Sequence, residues 1–169
     1  MRPEKGTYPV YYENYIPLVM QENITVALHQ NWDELKKVFS FVSKNKEDYA
    51  YADGKWTVKQ MLLHLVDTER IFAYRALRFA RKDPKQPLSF EENDYAAAAD
   101  VSNRTLADIM EEMETVRMAS ISLFKSFSND TLLLSGDTAA GSATVVSIGF
   151  TICGHALHHI NVLKERYAI

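Results

Sequence analysis

Proline and glycine are both scarce in this chain, and their placement restricts the fold before any motif is considered. The five prolines stand at Pro3, Pro9, Pro17, Pro84 and Pro87, which leaves 18–83 and 88–169 free of proline. Only six glycines accompany them in 169 residues, where average usage would supply about twelve glycines and about eight prolines. An all-β domain with a turn every 8–12 residues or so draws on both residue types more heavily. Two long uninterrupted stretches therefore predict long helices. The length suits one domain, 1–169, able to bury about two-thirds of its unfolded surface.

Periodicity divides the chain into four helices. Leu28, Leu35, Val38, Phe39 and Val42 share one face of a helix over 23–44. Thr57 opens a second helix, 57–82, with Gln60 completing a capping box and Lys82-Asp83-Pro84 ending it. A third helix runs over 103–127, with Ser102 as its expected cap and Leu106, Ile109, Met113, Val116, Ile121 and Phe124 turned inward. The fourth spans 143–167 and ends on Lys164, Glu165 and Arg166, cations that suit a helix C-terminus. The connection 83–102 is long for a compact domain and is expected to cross the bundle or to line a site. The architecture read from the chain is all-α, a four-helix bundle with that long crossover between helices 2 and 3.

Several classes are disfavoured. A net charge of −3 gives no basic face for nucleic acid. One cysteine, Cys153, permits neither an internal disulfide nor a cysteine zinc finger, and is read as a small core residue. The start, Met1-Arg2-Pro3-Glu4-Lys5-Gly6, has no signal-peptide pattern, so a cytoplasmic location is expected. From Thr138 to Leu163 no residue carries a formal charge, enough to span a bilayer. Three histidines and Asn161 within it would be costly in lipid, so a helix buried in protein, not membrane, is predicted.

The histidines carry the chemistry. Of five, three fall in the last fifteen residues: His155, His158 and His159. His155 and His159 lie about 6 Å apart along the helix and about 40° apart around it, so two imidazoles can reach one metal ion. Core histidines bonded to carbonyls are the alternative. His64, in the apolar run Met61-Leu62-Leu63-His64-Leu65-Val66, is the candidate third ligand. It stands about 10 Å from the start of helix 2, and the pair about 15 Å from the end of helix 4, so the levels match if those helices are antiparallel. Three neutral nitrogens with an open position make the pattern of a catalytic metal site. His158 is about 60° from His155 and is read as a group beside the site, a proton acceptor or a surface residue. Asp67 is a candidate to orient a ligand imidazole or to act as a base. Glu69 points about 140° from His64 and suits a salt bridge to another helix. Arg75 lies about 20° from His64 but three turns on, a candidate cation for a carboxylate-bearing ligand, with Arg70 and Arg78 as others. His29 is expected on the surface.

The run Trp56-Thr57-Val58-Lys59-Gln60-Met61-Leu62-Leu63-His64-Leu65-Val66-Asp67-Thr68-Glu69-Arg70 resembles the second-helix signature of the DinB-like (YfiT-like) superfamily. Gly154-His155-Ala156-Leu157-His158-His159-Ile160 resembles its fourth-helix signature. The resemblance covers nearly the whole chain. It implies an up-down-down-up bundle, a homodimer, and a divalent metal, zinc or nickel, on His64, His155 and His159. It further implies activation of a small thiol for S-transfer to a small-molecule substrate. The alternatives are a hydrolase activating water and a metal- or ligand-binding stress protein without turnover.

Overall fold

A computed structural model describes residues 1–169. Four long helices dominate it: α1 (Ile24–Ser40), α2 (Val58–Ala80), α4 (Leu106–Lys125) and α6 (Val145–Arg166). Short helices α3 (Glu92–Ala98) and α5 (Asn129–Leu132) lie in the connections, and a two-stranded hairpin, β1 (Ser135–Thr138) and β2 (Gly141–Thr144), precedes α6.

Each long helix starts where a side chain can occupy its free amides. Asn23 Oδ1 accepts from the amides of Thr25 and Val26, and Thr144 accepts from Ser147. The expected Thr57–Gln60 capping box is formed in both directions, at 3.2 and 2.9 Å. The cap of α4 is Thr105, not Ser102. Asp108 returns a bond to the Thr105 amide, so two donors are satisfied reciprocally, while the Ser102 amide is taken up in a turn by Asp100.

Cross-helix pairs fix the directions. Lys59 with the Arg104 carbonyl and Arg70 with Glu112 set α2 and α4 parallel. Asn31 with Cys153 and Glu34 with Lys164 do the same for α1 and α6. Tyr167 bonding the Trp56 carbonyl, with Phe79 against Gly136 just before α6, makes α2 and α6 antiparallel. Arg117 reaching Leu28 and Asn31, while Ile24 and Phe124 meet at Gly149, opposes α1 to α4. The order is up, down, down, up, and 83–102 is the crossover that lets α4 run parallel to α2.

Two apolar clusters fill the bundle, one around Leu28, Phe72, Phe124, Ile148 and Phe150, the other around Leu35, Leu62, Ile109, Met113 and Leu163. Between α1, α2 and α4 lies a polar cross-link. Fully buried Arg117 forks onto Glu69 at 2.8–3.1 Å and donates to Asn31 and the Leu28 carbonyl. Asn31 in turn donates to Cys153 O on α6, so one network ties all four long helices. Glu69 thus makes the salt bridge expected of it. Helix α6, the one helix long and apolar enough to cross a membrane, is mostly buried here, which explains its lack of charge.

The hairpin departs from the purely helical reading, and α3 adds a short helix within the connection 83–102. The hairpin sits on α2 through Phe79, whose ring lies where a side chain at Gly136 would project. Its edge bonds the N-terminal segment through the Thr144 amide and the Thr7 carbonyl.

Candidate metal centre

The site forms where the first half of α2 meets the middle of α6, with the N-terminal segment laid across it. Residues Val10–Asn14 and Ile16–Leu18 make two 3-10 turns, with Tyr15 between them. A Cβ on Gly154 would lie 2.2 Å from the Tyr15 carbonyl oxygen, so only glycine lets this backbone rest on α6. The glycine therefore sets the Tyr15 ring edge-on to His155 and His158, at centroid distances of 5.5 and 5.8 Å.

His64, His155 and His159 are brought together. His155 Nε2 lies 3.1 Å from Nε2 of both His64 and His159, and one donor atom from each falls within 4.8 Å of the others. Protons alone serve this arrangement poorly. A neutral imidazole nitrogen offers either one N–H or one lone pair, so His155 Nε2 cannot make two good bonds at once. An ion with bonds of about 2.0–2.1 Å holds tetrahedral nitrogens about 3.3 Å apart, close to what is seen. The donor chemistry fits too. Burial pushes His64 down to about 4 and His159 down to about 3, and His155 lies well below its ordinary range. All three are neutral near pH 7 and present lone pairs, the form a metal requires.

The surroundings divide the other candidates. Thr68 Oγ1 stands 3.4 Å from His64 Nδ1, the place expected for Asp67. Asp67 instead faces Arg70 at 3.7 Å and hydrogen-bonds none of the histidines, because α4 brings Glu112 and Arg104 to that side. His158 is exposed, packed edge-on to His159 at 5.2 Å and making no hydrogen bond. Trp56 covers His64 at 4.7 Å and stacks toward His159 at 6.4 Å. His159 Nδ1 is buried without a partner. His29 is exposed and Cys153 buried, as expected; burial pushes the Cys153 thiol up to about 12.

A cavity of about 330 Å³ opens beside His155. Tyr11, Tyr12, Tyr15, Thr68, Phe72 and the hairpin tip at Ala139–Ala140 line it, with Arg75, Phe90, Glu91 and Glu92 at the crossover. Tyr95 lies behind Phe90, in edge contact at 5.2 Å. The residues that sequence reasoning missed are Tyr15, Trp56, Thr68 and the hairpin tip. Only the cluster Tyr8, Tyr11, Tyr12, Tyr15 gave any signal of the first.

The family model of the DinB superfamily matches residues 27–163. The fold is similar to that of YfiT from Bacillus subtilis, described as a probable metal-dependent hydrolase with an unusual four-helix bundle topology. That match has a TM-score of 0.75 at 15% identity and covers 99% of this chain and 92% of that one. A mycothiol-dependent maleylpyruvate isomerase aligns with a TM-score of 0.65 at 11% identity, over 82% of this chain and 58% of the isomerase. No curated protein matches the sequence.

Proposed function

The chain belongs to the DinB superfamily, and on that premise we propose that it is a metal-dependent enzyme acting on a small thiol. In this reading His64, His155 and His159 would hold a divalent ion, zinc or nickel, and the thiolate sulfur bonds to an electrophilic carbon that gives up its leaving group, the thiol's proton passing to solvent. The observation that carries it is the meeting of three neutral imidazole nitrogens beside a cavity that holds Arg75. The chemistry such an ion supplies is Lewis acidity, which lowers a thiol's pKa toward neutrality.

The chain's own residues do the rest. The three Nε2 atoms supply lone pairs, while Thr68 accepts from His64 Nδ1–H and holds that ring in the tautomer with Nε2 free. Trp56 and Tyr15 pack against the imidazoles and restrict water on two sides. Arg75 offers a cation to a carboxylate-bearing ligand at the far end of the cavity. Asp67 faces Arg70 and hydrogen-bonds none of the histidines, and a reaction on sulfur needs no base once the thiol's proton has passed to solvent.

Hydrolysis is the second reading, favoured by Glu91 and Glu92, which line the same cavity and offer carboxylates to water. Cobalt-substituted protein separates the two. Titration with glutathione, coenzyme A, bacillithiol and mycothiol should bring in a sulfur-to-cobalt charge-transfer band in the near ultraviolet with one of them. No band with any thiol, together with cleavage of a chromogenic ester or amide, would overturn thiol activation in favour of hydrolysis.

A further inference from the structure

Arg75 is a buried cation without an anion. Its residue is 9% exposed. Its one hydrogen bond goes from Nη2 to the Leu88 carbonyl at 3.2 Å, and its Nε, also buried, has no partner. No carboxylate lies within ion-pair distance of it, although its neighbours on α2 are both paired. Arg70 is held by Glu112 at 2.6 Å, and Arg78 by Asp83 at 2.9 Å. Phe72 and Phe90 flank the guanidinium at 5.2 and 5.9 Å from its carbon. Two rings thus lie beside the guanidinium, and its N–H edge is left without an anion.

That edge stands between two cavities. The inner one, beside His155, was described above. The outer one, about 470 Å³, is walled by Ile71, Tyr74, Leu88, Phe90 and Tyr95, and by Arg70 and Arg78, each of which is paired with a carboxylate. Arg75, Ser89 and Phe90 line both, so the guanidinium lies where the two cavities adjoin. Both volumes are of the size that small-molecule sites have. The outer cavity exposes apolar surface: Leu88 is 89% exposed and Tyr74 56%. A flat apolar group would cover it.

We infer that Arg75 is the anion-binding centre of a two-lobed site for a ring-bearing monocarboxylate, its carboxylate on the guanidinium edge and its ring against Phe90 and Tyr95. One uncompensated cation matches one negative charge, and the Nε–Nη edge matches a carboxylate's two oxygens. A phosphate dianion would need a second free cation, and Arg70 and Arg78 are already engaged. The inference deepens the reading above by naming a substrate class. It rests on that reading only for what reacts at the histidine end, since the anion site itself needs no metal.

Phenylacetate, acetate and 2-phenylethanol serve as probes, titrated into the full-length protein and followed by calorimetry or protein NMR. Phenylacetate should bind at least tenfold more tightly than either half of it. Arg75→Met should abolish the preference for the carboxylate and Arg75→Lys restore part of it. Tyr95→Ala, at a half-exposed side chain that leaves folding intact, should weaken phenylacetate several-fold and acetate little. His64→Ala should leave phenylacetate affinity within twofold, which separates this site from the metal. Binding of phenylacetate no tighter than that of phenylethanol, or unchanged by Arg75→Met, would overturn the proposal. So would loss of binding in His64→Ala with Arg75→Met unaffected, because the probe would then be sitting on the metal.

Discussion

Arg117 on α4 and Arg75 on α2 are both withdrawn from water, at 0% and 9% exposure, and their surroundings could hardly differ more. Arg117 has a carboxylate, an amide oxygen and a backbone carbonyl within 3.1 Å, and it joins the helices to one another. Arg75 has one carbonyl, two aromatic faces and an open edge toward a cavity. Desolvating a guanidinium costs several kcal/mol in either place. In the first the fold itself offsets that cost; in the second the offset is left to a ligand. Burial alone therefore does not mark a functional charge, whereas burial without a partner does.

The largest effect should come from breaking the partnered arginine. Glu69→Leu leaves Arg117 charged and enclosed, and should destabilise by about 3–5 kcal/mol. In thermal denaturation that is a fall of roughly 10 °C for a chain of this size. The double variant Glu69→Leu/Arg117→Met should recover most of the loss. Recovery of none would mean that the pair acts through something other than charge compensation.

A second effect is set by pH. Without metal, His64 and His159 take up protons in the folded chain only near about 4 and about 3, whereas the unfolded chain does so near 6.5. Between those values the unfolded state binds more protons, so stability should be at its full value above about pH 6.5 and fall steadily toward pH 4. Urea denaturation of chelator-treated protein across this range measures it, and the double variant His64→Ala/His159→Ala should flatten the slope. An equal slope in that variant would place the titration outside the histidines.

The smallest effect is expected at the unpartnered arginine. Arg75→Met removes an uncompensated charge and keeps the apolar stem, so melting temperature should hold or rise, by at most ~1 kcal/mol in stability. A loss comparable with Glu69→Leu would make Arg75 part of the scaffold and erase the contrast.

How far the sequence discloses all this varies with the distance over which the cause acts. The four helices, the Thr57 cap and the crossover follow from local periodicity and punctuation. The histidine cluster follows because spacing sets the face and helix length sets the level. Thr68 and Asp67 are neighbours in sequence, and choosing between them required knowing that α4 brings Glu112 and Arg104 to the Asp67 side. Arg117 reads as an ordinary helical cation because its carboxylate lies 48 residues earlier. The hairpin stayed hidden because Ser135–Thr138 and Gly141–Thr144 lack β-branched alternation, and its support comes from Phe79 and the N-terminal segment. Tyr15 is placed by the absent side chain of Gly154, a constraint invisible until the two backbones are side by side.

The most direct measurement is metal content. Protein prepared without chelator or nickel resin, loaded with zinc and freed of excess by gel filtration, can be assayed by elemental mass spectrometry beside His64→Ala and His155→Ala. One equivalent per chain in the wild type and a small fraction of that in each variant is the predicted result. No retained metal in the wild type, or equal metal in all three proteins, would contradict a metal centre on His64, His155 and His159.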